Sequence, residues 1–479
     1  MELDQKTADA FEAIDETQQT EYVPKKERFA FYLSAFFRDM SYSIMGMSNY
    51  FYTDILGLTG IRLAALEWVK RIWDGVNDPI VGAYFDKRAY TNEKARPFFR
   101  STAFPIAVTL LLMFIPIRFS ANDGLNMWLR VGFILLCYIP FELLHTLSGT
   151  SFMSYYNSIT PNINERSGII SRSRLFSNCG SAVVGGLIPI LLGFVKKDDV
   201  RSKTYVYLAT AIIVSASFLL FNYLMYTRVK ERTVSPPEET QTVWGIVRSM
   251  FENKVFLVMI ISVAIGGLIS AGNTGMWFYD YNLGSTIWLP IIGIAGFPAL
   301  ILASWLNPRL VKKFEKRSLV IALGVLQILF NLLHWQVGYQ SKIFLAFIAF
   351  LKEIPGSLRG MLYWSMIADS VDFGEWKTGK RNDGIIYAAE GLMGKIIGAF
   401  GSTSTAIIIW YIKFQPNAPT QSPETLEGLF SVPLVIGMIS TAASLIPYFF
   451  YSLDRKKHAR MIEEIKARKE AAVVIEETN

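Results

Sequence analysis

The chain has 479 residues, 52% of them hydrophobic and only 18% charged, with a mean hydropathy of +0.31. A water-soluble globular fold of this size would expose too much of that apolar material, so that class is excluded. The net charge of +7 does not point to nucleic acid either. Its basic residues gather in alternate connections between apolar runs, the pattern of a polytopic membrane protein with both ends in the cytoplasm.

Residues 1–28 read as a polar, acidic cytoplasmic tail without the apolar core of a cleaved signal. Long apolar runs follow, among them Phe98–Ile117, Val206–Tyr226, Val255–Ala271 and Val432–Tyr451. Each is close to the roughly 20 residues that cross a hydrocarbon core, and about twelve such spans are expected. The first helix is predicted over Phe29–Leu56 and the second over Arg62–Phe85, with the sixth closing near residue 226. Residues 227–253, with their Pro236-Pro237 step, form the longest polar connection and are expected to be a central cytoplasmic loop. Spans seven to twelve fill 254–453, and 454–479 form a charged cytoplasmic tail. An all-α membrane protein of two six-helix bundles is expected, an architecture similar to the major facilitator fold, with a polar cavity fed by both halves.

The second predicted helix carries RIWDGVNDPIVG. Asp74, Asn77 and Asp78 stand at i, i+3 and i+4, so their oxygens share one face. Each carboxylate facing lipid at the bilayer centre would cost roughly 2.5–3.5 kcal/mol, so the face must look inward and meet positive charge. A hard monovalent cation with oxygen ligands meets that need, as does a pair of exchangeable protons; a helix cap or a salt bridge to Lys70 or Arg71 is the plainer alternative. Further charges sit inside other predicted spans: Arg38 and Asp39 in the first, Arg174 in the fifth, Glu390 and Lys395 in the eleventh. Tyr50, Tyr155, Tyr156 and Trp364 lie on spans that carry polar residues, where sugar stacking competes with core packing.

Enzyme chemistry finds no foothold. Cys137 and Cys179 both fall in predicted spans, and the three histidines have no metal-ligand spacing to one another. No nucleophile–base constellation or nucleotide loop is seen, and the glycines near Gly180–Gly186 suit helix packing. A transporter without a bound cofactor is expected, its partners a small molecule, a coupling cation and membrane lipid. Neither nucleic acid nor an oligomeric state is implied.

RIWDGVNDPIVG, FFRDMSYSIMGMSNYFYTDILGL, ADSVDFGEWKTGKR and GIIYAAEGLMGK together resemble the melibiose permease-like glycoside–pentoside–hexuronide:cation symporters, over the first eleven spans. The resemblance implies alternating access in a bacterial-type inner membrane. It implies a cation site at Asp74, Asn77, Asp78 and Thr150, with Na⁺ held by Asp74 and Asp78 and with H⁺ or Li⁺ as substitutes. It implies sugar contacts at Asp39 and Arg174, with Lys395 near both sites; Arg38, Glu390 and Trp364 are further candidates as charged or aromatic residues within the spans, apart from the resemblance. It also implies gate contacts in the loop SMIADSVDFGEWKTGKRNDG, through Asp369, Asp372, Glu375 and Arg381.

On the fourth span the chain departs from the family, placing Met153 and Asn157 where a sugar-binding Asp and Trp are usual. The lost carboxylate argues against a melibiose-like galactoside and for a sugar with its own acidic group, a uronide or a sulfo-sugar, held by the Arg174 fork. The alternative is a facilitator for a non-carbohydrate solute or a lipid.

Overall fold

The computed structural model describes residues 21–86, 93–232, 251–270, 273–379, 383–416 and 418–478. Most of the predicted central loop therefore lies outside the described residues. Contacts divide the chain into two compact units, Met1–Glu238 with Gln415–Pro419, and Glu239–Phe414 with Thr420–Asn479.

The first unit is built from α1 (Lys25–Gly46), α2 (Ile61–Asp86), α3 (Arg96–Met113), α4 (Asp123–Ser158), α5 (Ile163–Gly193) and α6 (Val200–Arg228). The second contains α7 (Lys254–Leu268), α8 (Trp288–Lys313, broken at Ala295), α9 (Lys316–Val337), α10 (Lys342–Thr378), α11 (Asp383–Tyr411) and α12 (Pro423–Leu445). A thirteenth helix, α13 (Arg455–Thr478), closes the chain. Among the described residues seven helices are long and apolar enough to cross a membrane by length and composition. The charged α1, α2 and α10 are not among them, because the side chains that a polar site requires lower their hydropathy.

Helix starts are set by side chains that accept an otherwise unpaired backbone N–H. Asn122, Asn162, Asp199, Asn253, Ser341 and Ser422 each cap the first turn of their helix in this way. Stops are equally local: Gly338 and Gly379, at φ 80° and 73°, end α9 and α10.

The two units repeat one packing plan. In the first, α1 packs on α5 and α6, α2 on α4, and α3 on α4 and α6. In the second, α7 packs on α11 and α12, α8 on α10, and α9 on α10 and α12, each pairing shifted by six helices. The repeat extends to a sequence signature that the faint match between the ends of the second and eighth spans does not reveal. Phe51-Tyr52 and Phe278-Tyr279 each open a π-helical turn, Phe51–Ile55 and Phe278–Asn282. Each turn is followed by Leu-Gly, with Gly57 and Gly284 at φ 72° and 85°. Only glycine enters that left-handed region at no steric cost, so both copies leave their helix at the same residue.

Each unit has its own apolar core. Phe31, Phe99, Phe152 and Tyr155 lead the first, with the Phe31 and Phe152 rings stacked at 4.7 Å; Met259, Leu323, Leu362 and Met366 belong to the second. Tyr50, Tyr155 and Tyr156 are buried and belong to the packing of the first unit. Outward, side chains such as Leu136 (71% exposed) and Ile301 (70%) present the apolar exterior that lipid requires.

One expectation is revised. The segment from Asp369 to Glu375 is helical, not a loop: no proline follows Pro355 and no residue takes a positive φ before Gly379, so α10 continues through Thr378. The last residues are a helix, with Met461 and Ile465 buried, that packs against α10.

Candidate functional site

The polar face of α2 lies against α4 as the i, i+3, i+4 spacing predicts. Trp73 donates its indole hydrogen to the Ile139 carbonyl oxygen at 3.0 Å, and Tyr138 donates to Asp74 Oδ1 at 2.8 Å. Asn77, fully buried, donates from Nδ2 to the Glu142 carbonyl oxygen (3.2 Å) and to Thr146 Oγ1 (2.7 Å). Tyr138, Glu142 and Thr146 are four residues apart, so one face of α4 answers one face of α2.

Charge along this seam is unevenly settled. Lys70 is paired with Glu67 at 2.7 Å, both buried, beneath the rings of Tyr52 and Tyr138. Arg71 reaches Asp74 Oδ2 at 3.2 Å, so the plainer reading of a local salt bridge holds for one of the two aspartates. Asp78, one residue past Asn77, is half-buried. Two oxygens remain without any partner although both are buried: Asn77 Oδ1 and Glu142 Oε2. A buried carboxylate oxygen left unmatched costs several times an ordinary hydrogen bond, and such atoms mark a ligand position or ordered water. Among the described residues no three His, Cys, Asp or Glu side chains converge as they would around a metal centre. The donor set offered here is mixed carboxylate and amide, which suits a hard, weakly held cation.

Glu142 and Thr146 are absent from the set expected from the sequence. Their signal was present in CYIPFELLHTLSGTS, where a carboxylate interrupts an apolar run with a Thr one turn later, but nothing local says which helix they face. Thr150, expected as a cation ligand, lies one turn beyond Thr146 and donates its hydroxyl hydrogen to the Thr146 carbonyl oxygen at 3.0 Å, leaving its oxygen lone pairs available.

Of the residues expected to contact sugar, Arg38 and Asp39 form a pair on α1 at 3.2 Å, and the Arg38 guanidinium lies over the Phe152 ring at 4.4 Å. Arg38 therefore has a carboxylate of its own. Arg174 is exposed on α5 and has no hydrogen-bond or ion-pair partner among the described residues. Met153 is 48% exposed, and the side chains of Asn157 and Lys395 lie outside the described residues. In the second unit Glu390 is half-buried and Trp364 is 53% exposed, its ring edge-on to Tyr363.

The gate candidates fall at the end of α10. Asp369 meets Lys316 at 2.6 Å, and His458 of α13 stands between Asp369 (3.8 Å) and Asp372 (3.3 Å). Trp376 donates to Glu464 at 2.6 Å, which ties α13 to the same turn. Glu375 is buried, and Arg381 lies outside the described residues.

Two helical units with one packing plan, apolar exteriors and buried charges facing inward define a polytopic membrane transporter. Residues 30–455 match the MFS/sugar transport protein family, so the chain belongs to that family; it is a transporter and not an enzyme. It is 27% identical over 426 residues to an uncharacterized symporter, YnaJ, of Bacillus subtilis (strain 168), a match spanning 88% of this chain and 89% of that one. It is 28% identical over 442 residues to a putative sulfoquinovose importer of Escherichia coli (strain K12), spanning 89% and 90%. The fold is also similar to a crystal structure of a bacterial homologue of the human lysosomal transporter Spinster, with a TM-score of 0.62 at 10% identity, over 89% of this chain and 98% of that one. The resemblance to the glycoside–cation symporters and the expectation of a major facilitator fold both hold.

Proposed function

We propose that this sugar transporter is a secondary active symporter that uses a cation gradient, sodium first, to move a sugar bearing an acidic group. The observation that carries the coupling is the pair of buried, partnerless oxygens, Asn77 Oδ1 and Glu142 Oε2, beside Asp74. A sodium ion there would gain oxygen ligands that the protein leaves unmatched; Asp78 follows Asn77 directly on α2, and Thr150 lies two turns past Glu142 on α4, one turn beyond the Thr146 that Asn77 contacts. Acidity of the sugar is supported by Arg174, which has no carboxylate partner among the described residues, and by Met153 in place of an acceptor. The putative sulfoquinovose importer among the relatives points the same way. Asp369 and Asp372, held by Lys316 and His458, suit a cytoplasmic gate.

Linkage supplies the test. A sugar that raises the affinity for sodium must have its own affinity raised by sodium by the same factor. Radioactive sodium binding to the purified protein, with and without a uronide or sulfo-sugar, should show that reciprocal gain. Asp78→Asn and Glu142→Gln should each lower sodium affinity by about tenfold or more, the worth of a hydrogen bond or ligand to a charged group. Sodium binding unchanged in both variants contradicts the site. Sugar binding that ignores sodium but follows pH assigns the coupling to protons on these carboxylates.

A further inference from the structure

We propose that the second unit carries an oxoanion subsite on α10, formed by Lys352 and Arg359, that takes the carboxylate or sulfonate of an acidic sugar. The proposal rests on the sugar-transport reading above and assigns the acidic group to a different place from Arg174. A cavity of about 700 Å³ opens among α7, α9, α10 and α12, within the size range of small-ligand pockets. Lys352 and Arg359 both line it. They stand seven residues apart, two helical turns, and so share a face. Gly356 lies between them on that face, and a Cβ there would meet only Gln327 Oε1, at 3.8 Å, so the space between the two cations is left open.

Among the described residues neither cation is neutralised from within. Lys352 Nζ has the His334 ring as its polar partner, 3.4 Å from Nδ1, and Arg359 donates one of its five hydrogens to Ser444 Oγ at 3.3 Å. Among the described residues no carboxylate forms an ion pair with either. Glu353, the carboxylate that lines the cavity, is engaged by the Ser357 hydroxyl. Cations in a membrane span that serve structure alone are matched by a neighbouring acid or by backbone carbonyls. These two are matched by neutral groups and line a void.

The neutral groups complete a sugar-acid site. An ammonium only donates, so the contact with Lys352 makes His334 Nδ1 the acceptor and leaves Nε2 carrying the ring hydrogen. That Nε2 is buried without a partner, and so is the carbonyl oxygen of Gln327. Buried Asn331 stands one turn from each of them on α9, at the cavity wall. The cavity thus offers two cationic donors for an oxoanion, with one donor and one acceptor free for hydroxyl groups. A neutral glycoside would use the second pair and leave both cations unmatched, which is the basis of discrimination.

The test is equilibrium binding to the full-length protein in nanodiscs, with radiolabelled methyl glucuronide, sulfoquinovose and methyl glucoside, in sodium and in choline buffer. Wild type should bind one or both anionic probes at least about tenfold more tightly than methyl glucoside. Lys352→Gln and Arg359→Gln should each weaken that probe by about tenfold or more and leave methyl glucoside within about twofold. Arg359→Lys, which keeps the charge and loses the fork, should fall between. Binding of methyl glucoside by each variant certifies its fold. Anionic probes held no better than methyl glucoside by wild type, or unaffected by both neutralising variants, overturn the subsite. Loss of sodium dependence in wild type strikes the coupling proposal alone and leaves the subsite standing.

Discussion

Asn77 uses both amide hydrogens on α4, toward the Glu142 carbonyl and Thr146, and leaves its oxygen unmatched. Its face of α2 is legible in the sequence because i, i+3, i+4 spacing is local. Its partners are not, since Glu142 and Thr146 lie 65 and 69 residues away and only packing brings them near. The two threonines of α4 should separate in their effects. Thr146→Val orphans a buried amide hydrogen, at a cost of about 1–3 kcal/mol, and should lower the melting temperature even in sodium-free buffer. Thr150→Val touches only a bond to its own helix and should leave that temperature unchanged while weakening sodium about tenfold. Thr150→Val binding sodium as wild type does would remove Thr150 from the cation site.

At the scale of elements, helix positions follow from apolar run length and from capping residues, and the second helix was predicted within one residue at each end. The turn of α1 into its π-helical extension was not expected. The length of an apolar run does not register a change of helical hydrogen bonding, and only the Phe-Tyr-x-x-x-Leu-Gly repeat marks it. The extension of α10 to Thr378 was hidden by charge, since a run of acids and lysines looks like a solvated loop although it breaks no helix. Gly180 shows what the glycines of α5 contribute: a Cβ there would collide with the backbone carbonyl of Phe36 on α1, whereas at Gly185 it would meet only the Met47 methyl at 4.0 Å. Gly180→Ala should therefore lower the yield of monodisperse protein and its melting temperature by several degrees, a cost of about 1–3 kcal/mol, with Gly185→Ala near wild type. Equal behaviour of the two variants in a thermal melt followed by size-exclusion chromatography would contradict the close approach of α1 and α5.

For the whole molecule, composition alone establishes a polytopic membrane protein, and the six-plus-six pairing of helices gives that class its internal symmetry. The polar groups divide differently. Those of the first unit are readable because charges in an apolar run are conspicuous and resemble a known motif. Lys352 and Arg359 are not conspicuous, because LKEIPGSLR resembles nothing in that motif, and their lack of an acidic partner among the described residues appears only once α9 and α12 are folded against α10. We propose that a sodium gradient drives an acidic sugar through this chain by way of the α2 carboxylates. The most direct test is uptake into proteoliposomes of labelled neutral glycosides, uronides and sulfo-sugars, with and without an inward sodium gradient, for wild type and Asp78→Asn. Wild type should accumulate an acidic sugar when driven by sodium, and Asp78→Asn should not. Accumulation indifferent to both sodium and Asp78 would contradict the proposal.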